Sequence, residues 1–180
     1  MIRQFYSKAF NRSPKIKKEV YKLFLEGDFV LFKWKNEKGW PITAVTENVS
    51  RVFGYEASEL IGGIKNYAEL IHPDDLEHVE QETKEASRPE TEDFIHIPYR
   101  IRRSDGSYIW VYESTRIHRN AKEKITNFIG YVIEITSIME REEKILFLKE
   151  RFELATLATG DGVWDWDIIK DRVWYSERLK

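Results

Sequence analysis

His72, His78, His96 and His118 are the side chains best suited to metal binding or proton transfer near neutral pH. Their spacing fits no local metal-ligand pattern, and a chain without cysteine has no thiolate zinc site, disulfide or cysteine nucleophile. His72 stands before Pro73-Asp74-Asp75 and reads as a helix cap. The Asp74-Asp75 pair suggests acid–base catalysis, but two carboxylates in a first helical turn are explained by the positive end of the helix dipole. His96 and Arg100 fall on one face of a predicted strand, where they would meet an anionic ligand; a solvated or salt-bridged strand face is the plainer account. Gly62-Gly63 lacks the spacing and the lysine of a phosphate loop. No nucleophile–base pair is legible. These residues together point away from an enzyme.

Composition narrows the partners. The 180 residues are 42% hydrophobic and 14% aromatic, enough for a buried core. Charged residues make up 33%, but the net charge is only −2, which argues against a nucleic-acid partner. No apolar run approaches the roughly 20 residues of a membrane span, and the N-terminus lacks a signal-peptide core. Zero cysteine suits a reducing cytoplasm, the expected location.

The elements that must position these residues follow from periodicity. Ile2, Phe5, Tyr6, Ala9 and Phe10, then Ile16, Val20, Leu23 and Phe24, predict two amphipathic helices within residues 1–26. From Asp28 the period becomes two: Val30, Phe32 and Trp34 alternate with lysines in one strand, and residues 42–47 form another. Short helical turns broken at Gly54 cover 48–60. A longer helix opens at Pro73, with Leu76, Val79, Thr83 and Ala86 as its buried stripe. Strands are expected over 94–102, 108–118 and 125–135, the first two joined by the Asp105-Gly106 turn. In the last strand Phe128, Gly130 and Val132 form one apolar face and Ile129, Tyr131, Ile133 and Ile135 the other, so both sides need cover. Ser137-Ile138-Met139-Glu140 fits a capping box for a following helix. There Ile138, Ile145 and Phe152 share one heptad position and Leu148 and Ala155 another, an imperfect coiled-coil seam broken by Arg141.

This order, with Asn48-Val49, Phe53-Gly54-Tyr55, Ile71-His72-Pro73-Asp74-Asp75, Tyr99-Arg100, Asp105-Gly106 and Trp110-Val111, resembles a PAS sensor domain of the PAS/PAC type. The resemblance implies an α+β fold: a five-stranded antiparallel sheet with helices on one face, curved round a small cavity, plus N-terminal helices and a coiled-coil-like exit helix. It divides the chain into N-terminal helices (1–26), a PAS domain (27–136), a signalling helix (137–159) and the start of a second PAS domain (160–180). The last rests on Trp164-Asp165-Trp166, which repeats the pattern of Phe32-Lys33-Trp34 but is followed by too little chain to close a core.

The resemblance also implies a role. A sensory module of a larger bacterial protein, with a histidine kinase or GGDEF-type diguanylate cyclase output domain, would dimerise through its terminal helices. The alternative is a ligand-free interaction and dimerisation module. The candidate ligand cavity comprises Phe32, Trp34, Phe53, His96, Arg100, Phe128, Gly130 and Val132, with Gly130 leaving room for a ligand. The candidate relay comprises Glu134, Thr136, Ile138, Ile145 and Phe152; Glu134-Ile135-Thr136 stands where the family carries Asp-Ile-Thr. No cofactor is the first expectation, and a non-covalent flavin or small organic ligand is the alternative. Light-sensing flavin chemistry needs a cysteine. Haem is disfavoured because Glu80, not His78, aligns with the usual axial ligand, and two residues turn a helix by about 200°.

Overall fold

The computed structural model describes residues 19, 22, 25–61, 65–159, 162–176 and 179. Of the expected N-terminal helices, only residues 19, 22, 25 and 26 are described, and all are helical; the rest of 1–26, and Gly62-Gly63, lie outside the described residues. Two compact units result, Met1–Thr136 and Ser137–Lys180.

In the first unit β1 (Phe29–Lys35) and β2 (Ile42–Val45) form a hairpin, followed by the short helices α1 (Val49–Phe53) and α2 (Ala57–Leu60). Gly54 ends α1 at φ 79°, a left-handed cap. A 3-10 turn at Tyr67–Glu69 leads to the long helix α3 (Pro73–Ala86). His72 caps α3 as expected, its Nδ1 accepting from the Asp74 N–H at 3.2 Å. Strands β3 (Asp93–Ile95), β4 (Tyr99–Arg102), β5 (Tyr108–Arg119) and β6 (Ile125–Glu134) complete the sheet.

All pairings are antiparallel: β2 flanks β1, then β6, then β5, and both β3 and β4 pair with β5. The sheet thus has six strands, because the single strand expected over 94–102 is broken. Ile95 faces Ser114, but Tyr99 faces Val111, so the β3–β4 side carries one extra residue. That is a β-bulge, placed where Pro98 has no N–H to give the ladder.

Register explains the core. Phe32, Gly130 and Thr115 line up across three strands, as do Trp34, Phe128 and Ile117. Alternation turns Val30, Phe32 and Trp34 inward with Ile109, Val111, Ile117, Phe128 and Val132, all buried. The rings of Phe32 and Trp34 stack at 5.4 Å, and Tyr67 meets both edge-on. On the opposite face of β6, Ile129 and Tyr131 are more than a third exposed.

The second unit holds the helix α4 (Thr136–Thr159, whose first residue closes the first unit) and a hairpin of β7 (Trp164–Asp167) with β8 (Arg172–Tyr175). The helix begins one residue before the expected cap. Ile138, Ile145, Leu148 and Phe152 are all exposed on it.

Candidate functional site

A cavity of about 20 Å³ opens among Trp34, Trp40, Tyr67, Phe94, Phe128 and His96, with Glu113 and Thr115 from β5 and Val79 and Thr83 from α3. That volume holds about one water molecule. Sites for drug-sized ligands run to about 300 Å³ or more, well above this volume. Three of the expected cavity residues, Trp34, His96 and Phe128, line it. Phe32, Phe53 and Val132 belong to the packed core beside it. Gly130 leaves no free space: a Cβ there would stand 2.6 Å from both the Ser114 carbonyl oxygen and Thr115 Oγ1, and 3.1 Å from the Trp34 ring. Its missing side chain lets Trp34 and Thr115 close over the strand.

Arg100 is not beside His96. The bulge inverts the alternation, so His96, Tyr99 and Ile101 are buried while Arg100 points to the other face. Its guanidinium grips Asp75, Nε at 2.8 Å from Oδ2 and Nη2 at 2.6 Å from Oδ1, and its backbone N–H also donates to Oδ2 at 2.8 Å. It lies 5.3 Å over the Trp110 ring. These hydrogen bonds hold the Asp75 carboxyl below the usual value of 3.8. Helix-dipole charge therefore does not account for Asp75 alone, since it also ties α3 to β4. His78 is half-buried, and its buried Nε2 has no hydrogen-bond partner among the described residues.

The polar heart of the site is Glu113, 4% exposed. Burying a carboxylate is costly unless its oxygens are hydrogen-bonded. Tyr99 donates its hydroxyl to Oε2, Tyr67 donates to the same oxygen at 3.2 Å, and Thr115 Oγ1 donates to Oε1 at 2.5 Å. The two tyrosine oxygens are 2.8 Å apart. Burial first, and then the adjacent Glu113 charge, push both phenols well above 10.0, so they remain donors at neutral pH. His96 adjoins this cluster, its Nε2 3.8 Å from Glu113 Oε1. Its Nδ1 is 2.7 Å from Oε2 of Glu82 on α3, whose Oε1 also accepts the Ile97 N–H at 3.3 Å. The buried Nε1–H of Trp34 has no acceptor among the described residues.

Sequence reasoning found His96 but missed Glu113 and Glu82. The signal for Glu113 was parity: it alternates with Val111, Thr115 and Ile117 on the inward face of β5. Glu82 had a weaker one, sitting next to Thr83 and three residues from Val79 on α3.

The expected relay residues lie as follows. Glu134 Oε2 accepts from Arg103 Nη2 at 2.6 Å, so the longer carboxylate still reaches a cation. Thr136 Oγ1 accepts the Trp110 N–H at 3.1 Å, and the Ile135 N–H donates to the Trp110 carbonyl at 2.8 Å. The start of α4 is thereby stitched to β5. Ile138, Ile145 and Phe152 are each at least half exposed along the helix.

Among the described residues no group of three or more His, Asp or Glu could hold a metal ion, and no helix is long and apolar enough to cross a membrane. Comparison with known proteins follows the fold. A Methanosarcina acetivorans protein described as a methyl sulfide methyltransferase-associated sensor is 32% identical over 173 residues, 96% of this chain. The chain spans only 17% of that relative's length. Among solved structures, a sensory box histidine kinase/response regulator from Burkholderia thailandensis superposes with a TM-score of 0.59 at 20% identity, covering 74% of this chain and 97% of that one. The N-terminal domain of a diguanylate cyclase with a PAS/PAC sensor, from Marinobacter aquaeolei, gives 0.52 at 18% identity, covering 62% and 98%. Residues 42–132 match the PAS fold family, from the edge strand β2 through the last core residue of β6, and the chain belongs to that family.

Proposed function

We propose that this chain is the sensory module of a larger signalling protein, and that it relays changes in core packing through α4 to an output domain of the histidine kinase or diguanylate cyclase type. The observation that carries the reading is the junction: one residue separates β6 from α4, Thr136 and Ile135 bind Trp110 on β5, and α4 then presents Ile138, Ile145 and Phe152 uncovered. A stripe at heptad spacing on an exposed helix suits pairing with a second copy, which makes the helix a two-state element that packing at its root can bias. The relative's description as a sensor supports the role, and the two structural neighbours support the class of output. The module itself carries no chemistry in this reading. It works in the cytoplasm, whose reducing conditions a cysteine-free chain suits.

Sedimentation or light scattering over a concentration series tests the relay. A dimer is expected, and Ile145→Glu should dissociate it. A wild-type chain that stays monomeric at high concentration would remove the relay.

A second reading, a ligand-free interaction module, is favoured by the water-sized cavity. Native mass spectrometry of freshly purified protein separates the two: a co-purifying small molecule supports ligand sensing, and the bare mass supports the docking module.

A further inference from the structure

Helix α3 forms one wall of the cavity through Val79 and Thr83, and two clasps tie it to the sheet. Near its N-terminus Asp75 holds Arg100; in its second half Glu82 holds the bulge through His96 Nδ1 and the Ile97 N–H. The second clasp contains a titratable ring. His96 is 4% exposed and stands between two carboxylates carried by different elements, Glu82 on α3 and Glu113 on β5.

As the cation the ring is ion-paired to both carboxylates, at 2.7 Å from Glu82 and 3.8 Å from Glu113, whereas the neutral ring can at most hydrogen-bond Glu82 through Nδ1–H. Among the described residues no other charged group faces it. From β3 the Phe94 ring meets it edge-on at 4.9 Å, and from β4 the Tyr99 ring does so at 5.8 Å. The hydroxyls of Tyr67, Tyr99 and Thr115 serve Glu113. We propose that His96 is a proton-binding site that latches α3 over the cavity. The bound proton closes the latch, and its loss loosens it.

The asymmetry between the two carboxylates sets where loosening shows. Glu113 keeps three hydroxyl donors when the proton leaves. Glu82 keeps only the long bond from Ile97 and, in one of the two neutral tautomers, an uncharged donor from His96. In either tautomer the ion pair between α3 and the sheet is lost, leaving at most a hydrogen bond from an uncharged donor to the Glu82 carboxylate. The helix half carrying Val79 and Thr83 is then freer to move off the cavity. Rising pH would thus widen a space that holds only about one water when latched. The proposal takes the cavity as the sensing site only for this consequence.

The test follows His96 ring resonances and amide exchange in the isotope-labelled 180-residue chain between pH 5 and 9. After correction for intrinsic exchange, protection of residues 79–86 relative to β5 should fall about tenfold between pH 5 and 9, in step with the His96 ring resonances, the size of losing one charged hydrogen bond. Glu82→Gln, at a half-buried position, should flatten the dependence while leaving β5 protected; His96→Gln should do the same. Protection of α3 that is independent of pH in the wild type would overturn the proposal, as would a dependence that survives Glu82→Gln. Should His96→Gln not fold, the wild-type titration and Glu82→Gln still decide. Exchange on α3 reads the latch and oligomeric state reads the relay, so either can fail without the other.

Discussion

Two strands of the molecule share an aromatic–polar–aromatic pattern and have opposite fates. In β1, Phe32 and Trp34 are each 2% exposed, stacked on one another and enclosed by Tyr67, Phe53 and Phe128. In β7, Trp164 and Trp166 are 61% and 48% exposed, and the strand pairs only with β8. The intervening lysine of β1 and aspartate of β7 face outward by the same alternation. Local pattern therefore selects the strand in both places, while partners decide whether its aromatic face is buried. β1 lies between two neighbours and beneath a helical layer. A lone two-stranded hairpin has neither, and is marginal in water by itself.

Substitution can break this comparison. Trp34→Ala should cost about 3–5 kcal/mol, the range for deleting a large ring from a packed core. Trp166→Ala should stay within about 0.5 kcal/mol, the range for surface changes. Urea unfolding followed by far-UV circular dichroism measures both. Equal losses would mean that the hairpin's aromatic face is covered in solution, and the contrast would vanish.

The glycines sharpen it. Gly130→Ala drives a Cβ against the Ser114 carbonyl, which the strand ladder holds in place, and should cost about 1–3 kcal/mol. The atoms nearest the Cβ of Gly162→Ala belong to the exposed Leu179 side chain, which can rotate away, so its effect on the same unfolding curve should be within about 0.5 kcal/mol.

The smallest effect is electrostatic. Arg100 depresses the Asp75 pKa in the folded state, so this pair stabilises the fold above the unfolded carboxylate value near 3.8 and loses that contribution as pH falls through the lower folded value. Asp75→Asn should remove up to about 1 kcal/mol at pH 7 and flatten the acid limb of the stability profile.

Much of the sheet was legible because one of its faces is buried, and period-two alternation reports that directly. The inward sets of β1 and β6 follow from it residue by residue. The break at 96–98 was not legible by counting, because alternation assumes an uninterrupted ladder; Pro98 was the warning. That one miss put Arg100 on the face of His96, from which the bulge separates it. The cavity failed differently. Gly130 marks close approach in sequence, but whether a ligand or the protein's own Trp34 approaches depends on packing between strands far apart in the chain. Glu113 was hidden by its charge: an inward glutamate contradicts the usual outward assignment, and two of the three hydroxyls that make it tolerable, those of Tyr67 and Tyr99, lie 46 and 14 positions away.

The bulge carries a consequence for chain length. His96 and Tyr99 are three positions apart yet both buried, so one residue between them is surplus to the alternation. Dropping Ile97 would leave an unbroken strand with Phe94, His96, Tyr99 and Ile101 still inward. Losing one residue from within β4 would instead turn part of that strand inside out. Relatives of different length should therefore gather their single-residue gaps at 97–98. A relative without the extra residue would also lack the backbone N–H that Glu82 now holds.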